Sequence, residues 1–292
     1  MLKVLFRLNF LVCVTCVVVD NSYMLYYICA MHTFWYLTVY ATMRPFHHLN
    51  QNPKVMFTKF LVYFILVTLL YQVPDLANTA FLPFSPVLNY QGTLREWLFR
   101  SKLDHYATLV GMLCAYFHPN VEATLKRMNQ HNMEKLIIGA VCFVLSSFTF
   151  IWYNEVFVLS KYEYNALHPY TSWLPIIAYL YMRNCTAWLR SRHVAMFTYL
   201  GKITLETYIS QLHIYLQANA KALIVYFPGY PLFNFVVNSV IYLYMARLLF
   251  DATVTLNEFI FPAERRKMLT NVLKIVVIIV SSYLVNLGLK LL

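Results

Sequence analysis

Long apolar runs recur along the whole chain and constrain its fold more than any other feature of the sequence. Nine of them approach the ~20 residues that cross a bilayer as one helix. They lie at 4–19, 23–42, 55–73, 104–118, 136–153, 172–189, 194–217, 231–250 and 272–291. Of the 292 residues, 12% are charged, against roughly 25% in a soluble domain. The pattern predicts an all-α fold, a polytopic transmembrane helical bundle of about nine spans that forms one membrane domain over residues 1–292.

Basic residues are concentrated in short segments between these runs. The net charge of +11 therefore indicates membrane orientation rather than a nucleic-acid partner. If the N-terminal segment with Lys3 and Arg7 is cytoplasmic, four more basic segments fall on the same side. They hold Arg44 and Lys54; Lys126, Arg127 and Lys135; Arg190 and Arg192; and Arg265, Arg266 and Lys267. We therefore expect a cytoplasmic N-terminus.

Several familiar chemistries have no signature in this sequence. The six cysteines lie in or beside apolar runs without zinc-ligand spacing, and the histidines lie far apart, so no metal site is predicted. No G-x-S-x-G motif and no Gly-rich phosphate loop occurs. No soluble hydrolase-like domain fits between the runs, since the longest gap is 74–103.

The stretch GKITLETYISQLHIYL, residues 201–216, places ionisable groups inside an apolar run. On a continuous helix, Lys202, Glu206, Ser210 and His213 share one stripe about 80° wide. Such groups usually face a cavity or one another, so we expect Glu206, Ser210 and His213 to line a reactive chamber, with His213 as base or carrier. In the alternative interpretation, Lys202 reaches the interface and pairs with Glu206, and His213 is a core histidine.

Two further polar groups stand where helices meet the membrane. Arg100 and Asp104 are four residues apart, so they can pair and aim a guanidinium at an anion or carbonyl; an ordinary interfacial helix explains them equally well. His168 precedes Pro169 in a segment that we interpret as a loop, where a lone histidine is often incidental. His32 lies in mid-span and is as consistent with a core histidine as with a site residue.

Four blocks of the chain resemble one family. NSYMLYYICAMHT, EWLFRSKLDHYATLVGMLCAYFHP, LHPYTSWLPIIAYLYMRNCT and LGKITLETYISQLHIYL are similar to the multi-pass acyltransferase region of the glycan O-acetyltransferases. That family includes animal sialate O-acetyltransferase, fungal capsule O-acetylation proteins and plant reduced-wall-acetylation proteins. The resemblance implies a ten-span Golgi membrane protein that uses cytosolic acetyl-CoA to O-acetylate luminal glycans. Family members are longer, so we also expect this chain to be N-terminally truncated.

The resemblance gives the candidate residues their expected roles. The basic residues Arg190, Arg192, Lys126 and Arg127 would meet the phosphates of coenzyme A. Glu206, Ser210 and His213, with His168, Arg100 and Asp104, would deliver or transfer the acetyl group to a sugar hydroxyl. Two alternatives stay open: an acetyl or acetyl-CoA translocator that feeds a separate luminal transferase, and an inactive fragment in which the polar stripe only fixes helix register.

Overall fold

The computed structural model describes residues 2–88, 92, 94–128, 132–217 and 220–291, and within these ranges the chain is helical without a β-strand. In chain order the α-helices are α1 Leu2–Val19, α2 Tyr27–Met43, α3 Pro53–Gln72, α4 Leu76–Phe81, α5 Ser85–Leu88, α6 Leu94–Leu103, α7 Ala107–Met128, α8 Asn132–Trp152, α9 Lys161–Thr171, α10 Trp173–Asn184, α11 Ala187–Ser191, α12 Ala195–Lys202, α13 Thr204–Ser210, α14 Pro231–Ile260 and α15 Arg265–Leu291. Short 3₁₀ helices cover Tyr23–Tyr26, His47–Leu49 and Leu82–Phe84, and π-helical turns cover Tyr153–Phe157 and Gln211–Tyr215.

The predicted all-helical membrane architecture is confirmed. Three helical segments in the described ranges are long and apolar enough to cross a bilayer, namely Pro53–Gln72, Lys135–Phe157 and Pro231–Ile260. Many large apolar side chains point outward, among them Phe57, Phe143 and Phe150, which are 68%, 74% and 67% exposed. Such a surface is stable in lipid and would be costly in water. The number of nine spans stays a prediction.

Two of the predicted spans are not continuous helices. The run 172–189 is interrupted after α10, where Thr186 is extended and its hydroxyl accepts from Leu189 N at 3.2 Å to cap α11. The run 194–217 is interrupted at Ile203, whose φ of −101° and ψ of 11° end the α12 geometry. Gly201 weakens the helix there, and the Thr204 hydroxyl donates back to Leu200 O at 2.8 Å. Capping and back-bonding side chains therefore divide runs that hydropathy alone joins.

The segment that carries His168 is also helical, contrary to the predicted loop. Ser160 and Glu163 form a capping box at the start of α9: the Ser160 backbone N donates to the Glu163 carboxylate at 3.2 Å. The S-x-x-E spacing satisfies backbone donors of the first turn. His168 therefore lies in the last turn of a regular helix.

The chain folds as two compact units. The first comprises Met1–Asn21 and Met196–Leu292. In it α14 packs against α1, α13, α15 and the π-helical turn Gln211–Tyr215. Asn234, 4% exposed, holds the preceding loop on α14: its Oδ1 accepts from Tyr226 N and Phe227 N at 2.8 and 2.9 Å, and its Nδ2 donates to Phe227 O and Tyr230 O. One side chain thus satisfies four loop groups that lipid could not.

The second unit, Ser22–Ala195, contains a buried aromatic core. Helices α2, α3 and α7 pack together, and α8 packs on α10. Trp35, Tyr71 and Trp97 are 8%, 6% and 1% exposed, and Phe34 contacts Trp35 and Trp97 edge to face, with ring centroids 4.8 and 5.6 Å apart. The Phe34–Trp97 contact joins α2 to α6, and the Trp35 ring centre lies 6.1 Å from that of Tyr71 on α3. Helix α6 leads into the candidate site.

Candidate functional site

A cavity of about 600 Å³ opens in the second unit between α2, the α6–α7 turn and α9. Its polar lining combines one carboxylate, two imidazoles, one guanidinium and one hydroxyl with the aromatic rings of Tyr27 and Trp35. The polar groups are Asp104, His32, His168, Arg100 and Thr108. A concave pocket with a few convergent polar groups is the usual form of a small-molecule site.

His168 and Asp104 face each other in this cavity. His168 Nε2 lies 3.6 Å from Asp104 Oδ1, which is longer than a hydrogen bond. On the other side of the ring, His168 Nδ1 is 2.9 Å from the Tyr164 hydroxyl. The imidazole is therefore oriented from behind, and a hydroxyl group placed beside Nε2 would contact both the base and the carboxylate.

Arg100 is held by a different partner from the predicted one. Its Nε donates to Glu96 Oε1 at 2.7 Å rather than to Asp104, and its guanidinium lies 5.2 Å above the centre of the Tyr27 ring. Glu96 and Asp104 are each four residues from Arg100, so spacing alone could not decide between them. The hydrogen bond that Arg100 donates to Glu96 raises the pKa of the Arg100 guanidinium. Asp104 thereby stays available to His168.

The predicted polar stripe on residues 201–216 does not persist as one face. Because the helix is interrupted at Ile203, Lys202 is exposed whereas Glu206 and Ser210 are 0% and 4% exposed, on a face that Ile203 and Ile209 share. Ser210 Oγ donates to Glu206 O at 2.7 Å. His213 is half-buried in the π-helical turn Gln211–Tyr215, a type of distortion that is frequent at functional sites.

Glu206 is neutralised by an arginine that sequence spacing did not suggest. Arg7 Nη2 lies 3.1 Å from each carboxylate oxygen of Glu206 and donates to Lys202 O at 2.9 Å. The partner expected from spacing was Lys202, but Arg7 lies 199 positions away in sequence. The Arg7 guanidinium also lies 4.8 Å from the centre of the Phe250 ring. This ion pair joins α1, α13 and α14, and Glu206 is not among the residues that line the cavity described above.

Part of the predicted phosphate-binding set comes together at the end of α7. Lys126 Nζ lies 2.7 Å from Glu122 Oε1, and the pKa of Glu122 is lowered mainly by Lys126, with smaller effects of His118 and Arg190. Arg190 Nη1 donates to Asn184 O at 2.6 Å. We call His118, Lys126 and Arg190 the basic cluster.

The other two predicted phosphate ligands are close in sequence to this cluster but are held differently. Arg127 is exposed in the last turn of α7. The Arg192 guanidinium lies 4.5 Å from the centre of the Trp188 ring. Arg183, to which we assigned no role, donates to Leu189 O and Arg192 O and so holds the segment that carries Arg190 and Arg192.

Three aromatic residues at the site, Tyr164, Tyr27 and Trp35, were not predicted from the sequence, although their closeness in sequence to the histidines indicates them once the helices are known. Tyr164 lies four positions before His168 on α9, a spacing that brings side chains together once the helix is known. On α2, Tyr27 lies five residues before His32 and Trp35 three residues after it, and both share its cavity. The sequence indicated a function for the histidines of this cavity but not for its aromatic rings.

This structure defines a helical membrane protein with a polar cavity at one end of a long helix and a basic cluster at the other. Residues 1–273 match the family described as "10 TM Acyl Transferase domain found in Cas1p". The chain belongs to that family, as the four sequence blocks indicated.

One curated relative extends the comparison. The N-acetylneuraminate (7)9-O-acetyltransferase of Danio rerio is 32% identical over 288 residues. The alignment covers 93% of this chain and 36% of the relative, so the chain spans about a third of that protein's length. No solved structure matches the chain.

Proposed function

We propose that this chain is a membrane O-acetyltransferase that moves an acetyl group from acetyl-CoA to a hydroxyl of a glycan. The observation that carries the proposal is the Asp104–His168 pair, which lines a cavity together with Arg100. Family membership supports acyl transfer, and the name of the zebrafish relative supports O-acetylation. The Golgi membrane, a luminal acceptor and a cytosolic acetyl-CoA supply belong to this proposal.

In the proposed reaction His168 acts as the general base. With Nδ1–H donating to Tyr164, the lone pair of Nε2 accepts the proton of the attacking sugar hydroxyl as its oxygen bonds to the acetyl carbonyl carbon. Asp104 stabilises the imidazolium that forms, and Arg100 stabilises the negative charge that develops on the carbonyl oxygen. Collapse of the intermediate breaks the bond between the acetyl carbon and the group that delivers the acetyl to this cavity, and that group leaves with the proton from His168.

The basic cluster, with Arg127 and Arg192, is proposed to hold the phosphates of coenzyme A. Charge-assisted hydrogen bonds of this kind are stronger than neutral ones. Metal chemistry is not part of the proposal, and the described residues contain no group of three or more potential metal ligands.

The distance between the two ends of α7 shapes the mechanism. Asp104 precedes the helix and Lys126 lies in its last turn, so at 1.5 Å per residue they are separated by about 30 Å, close to the thickness of a bilayer core. The pantetheine arm of coenzyme A spans only roughly 20 Å at ordinary bond lengths. A donor bound at the basic cluster cannot reach Asp104, so the acetyl group must be handed across the membrane domain.

The need to hand the acetyl group across favours a second candidate function. A translocator would carry the acetyl group between the two ends and leave ester formation to a separate luminal transferase. Glu206, Ser210 and His213 stay candidates for the intermediate carrier. In that step a ring nitrogen of His213 would bond to the acetyl carbon as the thioester C–S bond breaks, and coenzyme A would leave as the thiol with the proton that the imidazole loses.

The test is acetyl transfer by purified chain in proteoliposomes. Acetyl-CoA labelled in its acetyl group is supplied outside, and vesicles enclose either an N-acetylneuraminate-terminated oligosaccharide or a neutral xylo-oligosaccharide. Label in an alkali-labile ester of either sugar supports the transferase. Label that enters without ester formation supports the translocator, and vesicles with no more label than protein-free ones contradict both.

A further inference from the structure

One face of α3 contacts the two segments that carry the proposed catalytic pair. These segments are the α6–α7 turn, which holds Asp104, and α9, which holds His168. Thr68, Tyr71 and Gln72 are spaced by three and four residues, so they lie on the same side of the helix. We call them the α3 clamp. None of the three is among the cavity-lining residues, so they act on the site only through other side chains.

The first contact of the clamp is with the turn that follows Asp104. The Thr68 and Tyr106 hydroxyls are 2.9 Å apart, and the Tyr71 ring lies 5.3 Å from the ring of His105. His105 is 0% exposed and its Nδ1 bonds to Lys102 O, which closes the α6–α7 turn. The two residues immediately after Asp104 are therefore fixed to α3.

The second contact is with α9, two residues after His168. Gln72 Nε2 donates to the Tyr170 hydroxyl at 2.5 Å. Tyr170 also packs against the turn, with its ring centre 5.6 Å from that of Tyr106 and 6.2 Å from that of His105. Gln72 therefore connects the helix of His168 to α3.

We propose that the α3 clamp sets the separation of Asp104 and His168, and that Thr68 and Gln72 are positioning residues for acetyl transfer. Thr68 holds the turn beside Asp104 and Gln72 holds the helix of His168. Because both side chains belong to α3, Asp104 and His168 are positioned relative to the same helix. The proposal rests on the proposed function. Displacement of a reacting group by about 1 Å can lower a rate ~100-fold, which makes such a support worth testing.

The activity test removes the two polar contacts without removing bulk. The Thr68→Val, Gln72→Met and double variants are assayed for acetyl transfer, with Thr58→Val as control because its hydroxyl bonds only within α3, to Lys54 O. We expect the double variant, compared at equal amounts of folded protein, to lose about tenfold or more in kcat with an unchanged KM for acetyl-CoA. In an Asp104→Asn background the same double change should cost little more. A double variant with wild-type kcat, or an equal loss in the Asp104→Asn background, would overturn the proposal.

A second measurement separates this inference from the proposed function. Asp104→Cys and His168→Cys are combined in a cysteine-free chain and joined with a short bifunctional methanethiosulfonate reagent. We expect the clamp double variant to cross-link several-fold more slowly than the parent. If the wild-type chain transfers no acetyl but cross-linking depends on the clamp, the proposed function fails and the positioning role stands. If cross-linking does not depend on the clamp, the positioning role fails whatever the activity.

Discussion

At the scale of single residues, the buried carboxylate of Glu206 has a structural explanation. A charge held away from water is tolerated when a counter-charge and hydrogen bonds satisfy it, and Arg7 supplies both through its bonds to Glu206 and to Lys202 O. Arg7 also brings together α1 and α13, which are far apart in sequence. A chemical role for Glu206 therefore has to compete with its role as an anchor.

Removal of one member of this pair should destabilise the protein. Arg7→Met leaves a buried carboxylate without its partner, which typically costs about 3–5 kcal/mol, whereas Arg7→Met combined with Glu206→Met should recover most of that loss. The measurement is the free energy of unfolding in detergent micelles.

Arg247 provides the matched control for this comparison. Its guanidinium lies over the same Phe250 ring, but its partner Asp251 is exposed. Arg247→Met should therefore cost roughly 0–1 kcal/mol. If Arg7→Met costs no more than Arg247→Met, the anchoring role of Glu206 is wrong.

Partner choice was the least predictable property at this scale. Arg100 has two carboxylates at equal spacing, Glu96 and Asp104, and the direction of each side chain decided between them. Glu206 pairs with Arg7, which is 199 residues away in sequence, so helical spacing could not predict the contact. Local periodicity therefore did not determine which of these polar side chains contact each other.

At the scale of helices, α7 connects the cavity to the basic cluster. Lys126→Gln and Arg190→Gln should each raise the KM for acetyl-CoA by roughly 10- to 100-fold, since each removes a charge-assisted contact worth roughly 1.5–3 kcal/mol. Both effects should shrink at high ionic strength, because salt screens exposed charges. Initial rates at low and high salt provide the measurement.

Lys267→Gln is the control for the basic cluster. Lys267 is an exposed lysine that is likewise paired with a nearby carboxylate, Glu264, but it belongs to the other unit of the chain. Its substitution should leave the KM unchanged. Equal KM values for all three variants would mean that acetyl-CoA binds elsewhere.

The helices themselves were largely predictable and their interruptions were not. Hydropathy located α1, α3, α8 and α14 because lipid demands apolar residues and internal backbone bonding. Hydropathy predicted α12 and α13 as one span because Ile203 between them is apolar, but the backbone of Ile203 is not helical. The capping box before α9 is a local signal that does predict the helix start, and with it the helical position of His168.

At the scale of the whole molecule, the account requires the two ends of α7 to face opposite sides of the membrane. The test uses a cysteine-free chain into which a single cysteine is introduced by Arg127→Cys, after the basic cluster, or by Tyr162→Cys, on the exposed side of α9. In sealed vesicles an impermeant maleimide added outside should label one position and not the other, and inversion of the vesicles should exchange them. Labelling of both positions from one side would remove the need for the acetyl group to cross the bilayer.

The central claim is that acetyl transfer takes place at the Asp104–His168 pair, and the most direct test is the transfer rate of His168→Gln. At equal amounts of folded protein we expect a loss of about 100-fold or more, typical of a missing general base, while His193→Gln, at an exposed histidine, keeps wild-type activity. His213→Ala is measured beside them, and it should abolish transfer only if His213 carries the acetyl group. Wild-type activity in His168→Gln would contradict the account.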